Sequence, residues 1–382
     1  MVNRIVLNET SYFGRGSRYK LKEELIKRNH KKILVVTDTT LIENAANSIL
    51  NDLKESNLVC FTYTGVRPNP TIENVQSGLM IAQINNVDAV VAIGGGSVID
   101  TAKAISIIIR NPEHGDVSSL EGAVETKNKN LPLFAIPTTS GTAAEVTINY
   151  VITDEIRKKK MVCIDPHDIP LCSFIDPDLM ETMPQQLAAT TGMDALTHAI
   201  EGYITRASWL MTDMYHVNAM SLLYKNLEKA VNEKNKDAIE KVAYAQYIAG
   251  MGFSNVGLGI VHSMAHALGA IFDTPHGLAN AILLPHVLRY NGKSCKALYR
   301  NMANVMGIDI TNLNDDEVIE KIATSISELS KKMKIPQTLK EIGISKEIFK
   351  DLATLAINDP CTPGNPRTPS IEEIIEIYNQ AY

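Results

Sequence analysis

The sequence predicts an α/β half built on a parallel sheet, followed by an all-helical half. Short apolar runs, each closed by a turn signal and followed by a helical pattern, recur up to Met183. After Pro184 such runs stop and long helical patterns take over. At 382 residues the chain exceeds one small core, so two domains are expected, 1–183 and 184–382.

The strands follow in order. Ile33–Thr37 ends at Asp38, Leu58–Tyr63 near Gly65 and Ala89–Ile93 at Gly94. Leu131–Ile136 ends at Pro137, and Ser173–Ile175 ends at Asp176-Pro177. Runs apolar on both faces suit strands buried between two helical layers, as in βαβ units. The stretches LAATTGMDALTHAIEGYIT, Tyr215–Ala230, Ala238–Gly250 and VHSMAHALGAIF read as helices. RKKK at 157–160 reads as a solvated turn, although a lysine near a strand end could meet a cofactor.

Composition narrows the function. A net charge of −6 offers no basic surplus for nucleic acid. The five cysteines form no CxxC pair and are odd in number, which suits free thiols in a reducing cytoplasm. The N-terminus lacks the apolar segment of a signal peptide, and no 18-residue apolar run suggests a membrane span.

Two motifs follow strands. In GGGSVIDTAK (94–103), three glycines permit close backbone approach and the following helix N-terminus suits a pyrophosphate. The pattern is not GxGxxG, and alone it also fits a plain glycine turn. IPTTSGTAAE (136–145) places hydroxyls beside Gly141. Alone it reads as a polar loop; beside the triple glycine it favours one shared ligand at the carboxyl ends of neighbouring strands. Asp38, also at a strand end, could accept from ribose hydroxyls and repel a 2′-phosphate, pointing to NAD; it could equally cap a helix.

The densest chemistry lies in the second half. Asp194 and His198 are four apart, as are His262 and His266, and His276 follows ten residues later. Pairs at i,i+4 share a helix face, and imidazoles with one carboxylate suit a divalent transition metal. The spacing leaves open which of His262, His266 and His276 completes the site, and one of them could carry protons instead.

GGGSxxDxAK, PTTxGTxxE, the Asp-x3-His pair and the later histidines together resemble the iron-containing, group III alcohol dehydrogenases, in order along the whole chain. GTAAE in place of the family's usual GTGSE resembles the subgroup that reduces lactaldehyde rather than the butanol or 1,3-propanediol subgroups. The resemblance implies a Rossmann-like domain, an all-helical domain and a site in the cleft between them. It implies Fe(II), with Zn(II) possible after purification, on Asp194, His198, His262 and His276, and places His266 near the nicotinamide. Cofactor contacts are implied at Asp38, Asn69, Gly95, Gly96, Ser97, Thr138, Thr139, Thr142, Asn149, Lys160, Leu179 and Met183. Asn149, Phe253 and Cys361 are candidates to line the substrate end. The resemblance also implies a homodimer pairing through an N-terminal strand near Arg4–Leu7.

The expected reaction is reversible hydride transfer between NADH and a short 2-hydroxyaldehyde such as lactaldehyde, giving propane-1,2-diol. His266 is the candidate proton relay, because imidazole ordinarily titrates at about 6.5. Fe(II) would make the activity sensitive to air. A dehydroquinate synthase-like lyase would need basic phosphate ligands beside the histidines, and the helical half offers few.

Overall fold

The computed structural model describes residues 2–43 and 45–382. The chain forms two compact units, Met1–Met183 and Pro184–Tyr382.

Among its described residues the first unit carries nine strands: β1 (Thr10–Phe13), β2 (Lys32–Val36), β3 (Val59–Tyr63), β4 (Ala89–Gly94), β5 (Gly122–Ala123), β6 (Leu133–Pro137), β7 (Asn149–Asp154), β8 (Lys159–Ile164) and β9 (Cys172–Ile175). Its helices are α1 (Lys20–Lys27), α2 (Thr39–Ile42), α3 (Ala45–Lys54), α4 (Ile72–Asn85), α5 (Gly96–Arg110) and α6 (Pro177–Met180). Six strands form a parallel sheet in the order β1-β9-β6-β4-β2-β3.

The continuous apolar runs have a direct cause. Along β2, Leu34 and Val36 face one core, which α4 and α5 cover, while Ile33 and Val35 face another, which α1 and α3 cover. Val90 and Ala92 alternate with Ala89, Val91 and Ile93 in the same way on β4. Strands buried on both sides keep no polar face.

Four strands, β1, β5, β7 and β8, escape the apolar-run pattern. β1 (TSYF) is only partly buried, and it forms a sheet edge. β7 and β8 form an antiparallel hairpin joined by β5 into a second sheet. The hairpin corrects the reading of RKKK. Arg157 bonds Asp154 and Glu121, Lys159 pairs with Glu121, and Lys160 is a buried strand residue. Arg4–Leu7 belongs to no strand within the single chain.

The second unit is helical: α7 (Gln185–Ile204), α8 (Leu210–Asn232), α9 (Lys236–Val256), α10 (Ile260–Phe272), α11 (His276–Gly292), α12 (Lys296–Met306), α13 (Asp315–Lys332), α14 (Phe349–Ile357) and α15 (Ile371–Gln380). Among the described residues, no single helix is long and apolar enough to cross a membrane. α9 and α10 together reach that length and composition but are bent by 97°. α7 is buried almost all round, which fits its weak segregation of polar and apolar residues.

Candidate active site

Asp194 and His198 share one face of α7, His262 lies in the first turn of α10, and His276 begins α11. One ligand atom from each of the four lies within 4.8 Å of all the others. Asp194 Oδ1 stands 3.7 Å from His262 Nε2 and 3.5 Å from His276 Nε2, and Asp194 Oδ2 lies 4.0 Å from His198 Nδ1. Asp194, His198 and His262 are buried. Burial opposes charge on Asp194, but the surrounding imidazoles outweigh it and hold the carboxyl below its usual range.

Surrounding groups fix this geometry. His262 Nδ1 donates to Glu201 Oε2 at 2.6 Å, so its Nε2 is the nitrogen that faces Asp194. Burial works against a charged His262, yet the Asp194 and Glu201 carboxylates raise it to about 9. Glu201 also accepts from the Val261 and His262 backbone N–H groups at 2.7 and 3.4 Å, capping the start of α10. A Cβ at Gly259 would come within 2.8 Å of Glu201 Oε1, so the close approach requires glycine. Asn280 Nδ2 donates to Asp194 Oδ1 at 2.6 Å and lies 3.3 and 3.2 Å from the Nε2 atoms of His262 and His276. The Phe253 ring stacks on His198 at 4.2 Å, walling that imidazole in place. A carboxylate and three imidazoles, converging and held from behind, fit a divalent transition metal.

His266 stands outside this set. Its Nδ1 bonds Asp359 Oδ2 at 2.9 Å, and its ring stacks on His276 at 5.2 Å between centroids. Cys361 donates its backbone N–H to Asp359 Oδ1 at 2.8 Å. His266, Asp359 and Cys361 also offer ligand atoms within 4.8 Å of one another.

In the first unit, many predicted cofactor residues gather near the carboxyl ends of the parallel strands. β2 lies between β3 and β4, so strand order reverses beside the ends of β2 and β4, where open α/β sheets bind ligands. Thr37 Oγ1 donates to Ile93 O at 2.8 Å and ties those two ends together. Asp38 caps α2, with Oδ1 accepting from Thr40 and Leu41 N–H groups at 2.8 Å each. No side chain caps α5 at Gly95, so the positive end of that helix dipole is available to an anion.

A Cβ on Gly95 would sit 3.1 Å from Thr139 Oγ1, and one on Gly96 2.7 Å from Thr142 Cγ2, so the two predicted loops touch. Thr138 donates its backbone N–H to Gly94 O at 3.1 Å. Ser97 lies in the first turn of α5; Leu179 lies on α6 after β9, and Met183 follows. The hairpin brings a second group together. Lys160 Nζ donates to Thr153 Oγ1 at 2.9 Å, Thr153 Oγ1 to Asn69 O at 3.3 Å, and Asn149 begins β7.

Residues 8–177 match the family model described as "Iron-containing alcohol dehydrogenase", and 188–382 match "Fe-containing alcohol dehydrogenase family, C-terminal". The chain belongs to the iron-containing alcohol dehydrogenase family. It is an oxidoreductase acting on CH–OH groups. It is 50% identical to lactaldehyde reductase of Escherichia coli K12, over 100% of both chains. The crystal structure of a 1,3-propanediol oxidoreductase is 38% identical, with a TM-score of 0.96 over 100% of both chains. Sulfoacetaldehyde reductase of Bifidobacterium kashiwanohense, solved with NAD+, is 27% identical with a TM-score of 0.88, covering 100% of this chain and 99% of its own.

Three residues of this family member's site escape the sequence reading. Glu201 follows Asp194 and His198 at i+7 and i+3 on α7, and that periodicity could have found it. Asn280 lies four residues after His276 on α11, a weaker signal of the same kind. Asp359 lies 93 residues from His266 and carries no local signal.

Proposed function

We propose that the chain reduces lactaldehyde, or a similar short 2-hydroxyaldehyde, to propane-1,2-diol with NADH, reversibly. The observation that carries this reading is the convergence of Asp194, His198, His262 and His276 on one point. The full-length likeness to a lactaldehyde reductase supports the substrate class. These four residues would hold Fe(II), which Zn(II) can replace. When bound, the cation supplies Lewis-acid polarisation of the carbonyl oxygen, and the nicotinamide supplies the hydride.

The chain's own groups do the rest. One carboxylate among four donors leaves net positive charge around a divalent ion, which favours a developing alkoxide. Glu201 holds the His262 tautomer and Asn280 holds the Asp194 carboxylate. Asp359 holds His266 Nδ1, leaving Nε2 to exchange the proton with the alkoxide through water or the cofactor ribose. Both N-cap bonds of Asp38 use Oδ1, so Oδ2 remains for a ribose hydroxyl, and its charge disfavours NADP. Phe253 and Cys361 of the helical unit would line the substrate end. The same reading takes the protein as a cytoplasmic homodimer in which Arg4–Leu7 becomes a strand by pairing with its copy.

The test is anaerobic NADH oxidation with lactaldehyde, comparing chelated protein with protein reloaded with Fe(II) or Zn(II). Activity restored by Fe(II) and weak with Zn(II) is the expected result. Undiminished activity after complete metal removal, or no turnover of lactaldehyde by the Fe(II)-loaded protein, overturns the reading.

A further inference from the structure

A second set of metal donors lies in the helical unit beside the first. His266 on α10, Asp359 just after α14 and Cys361 two residues later offer an imidazole nitrogen, a carboxylate oxygen and a thiol sulfur within 4.8 Å of one another. The segment that carries Asp359 and Cys361 is pinned. Thr362 Oγ1 bonds Ser263 Oγ on α10 at 2.8 Å and Ala356 O on α14 at 2.6 Å. The Thr205 hydroxyl donates to Gly364 O at 2.8 Å. A Cβ on Gly364 would sit 2.3 Å from Leu258 O, so this backbone approach admits only glycine. The three donors are therefore held in place before any ion arrives, which is what a metal site needs.

We propose that His266, Asp359 and Cys361 form a second, soft divalent-cation site selective for Zn(II)-like ions, distinct from the Asp194 site. Binding would break the Cys361 S–H bond, release that proton to solvent and form an S–metal bond, with no change of oxidation state. Thiolate and carboxylate then neutralise the dication, whereas the Asp194 site, with one carboxylate, retains net positive charge. The donor sets also differ in softness. The sulfur favours Zn(II) or Co(II), while the all-N/O set accommodates Fe(II). Occupation would engage the His266 imidazole, so the second equivalent of Zn(II) inhibits; that consequence alone rests on the proton-relay role proposed above.

The test needs no turnover, so it stands apart from the fate of the proposed reaction. Full-length protein stripped with chelator is titrated anaerobically with Co(II), following stoichiometry by equilibrium dialysis and the near-ultraviolet thiolate-to-cobalt charge-transfer absorption. The Asp194 set contains no sulfur, so this absorption reports the second site alone. Two equivalents are expected in the unaltered chain, one with the thiolate band. Cys361→Ser is expected to bind one equivalent without that band while keeping the ligand-field bands of the first. Asp359→Asn, a check that does not touch the thiol, is expected to weaken the second equivalent at least tenfold. A single equivalent without a thiolate band in the unaltered chain overturns the proposal. So does a band that survives Cys361→Ser, or an unchanged second affinity in Asp359→Asn.

Discussion

Glu201 decides which nitrogen of His262 faces Asp194, and it does so from a buried position where no water can substitute. Glu201→Gln can present its amide N–H to His262 Nδ1 and so favours the wrong tautomer. Metal affinity is expected to fall by about 10–100-fold. Chelator competition measures this, and an unchanged dissociation constant would show that Glu201 only caps α10. His266 is the other decisive residue. His266→Ala is expected to lower kcat by about 10²–10⁴-fold and to alter its pH dependence. A variant whose turnover and pH profile match the unaltered enzyme would remove His266 from proton transfer. Ala143 marks a third kind of residue effect. It occupies the GTAAE position where GTGSE has glycine, and its φ is +52°. The left-handed strain is offset in part by the full burial of its methyl group.

At the scale of elements, two contacts hold the functional segments in place. Lys103, the last residue of GGGSVIDTAK, is fully buried. It donates to Thr147 O at 2.7 Å, Thr147 Oγ1 at 2.9 Å and Asn149 O at 2.9 Å, tying α5 to the hairpin that carries Asn149 and Lys160. Lys103→Met takes the donor from Thr147 O, while Asn149 O still accepts from Thr147 Oγ1, and is expected to cost about 1–3 kcal/mol in urea unfolding. A change below about 0.5 kcal/mol would place the tie elsewhere.

The second contact is His216 on α8, wedged between Gly202 of α7 and Gly252 of α9. A Cβ at either glycine would lie 2.3 Å from His216 Nε2. Neither ring nitrogen has a hydrogen-bond partner among the described residues. Burial, with a smaller effect from His198, pushes the imidazole down to about 3. The unfolded chain therefore takes up the proton first, at about 6.5. The contribution of neutral His216 is complete above that pH and is lost as pH falls from about 6.5 toward 3. His216→Leu is expected to flatten this acid limb, measured as urea midpoints at pH 4.5 and 7.5. An unchanged limb would assign acid sensitivity to other groups.

For the whole molecule, a ligand that binds only the folded state adds stability by mass action. Fe(II) or Zn(II) at one hundred times its dissociation constant is expected to stabilise the helical unit by about 2.7 kcal/mol. Calorimetry of metal-loaded and chelated protein checks this. Identical unfolding temperatures would mean that the donors of α7, α10 and α11 bind no metal in the native state. NADH is expected to stabilise the α/β unit by the same linkage, and its effect should survive Asp194→Asn.

The sequence by itself determined the parallel sheet and the helical half, because burial on both faces leaves continuous apolar runs and helix packing leaves its own period. It also marked Asp194 with His198 and the glycine turn at 94–96, since four residues on a helix or three successive glycines are local patterns. It concealed β1 and the β7/β8 hairpin: β1 is a partly buried edge strand, and β7 alternates buried and half-exposed residues rather than forming an apolar run. Only the tertiary structure decided that Glu201 orients His262, that Asp359 reaches His266, and that Cys361 joins them. Those contacts span 61 and 93 residues for the two hydrogen-bonded pairs, and helix packing, not chain spacing, brings them within bonding distance.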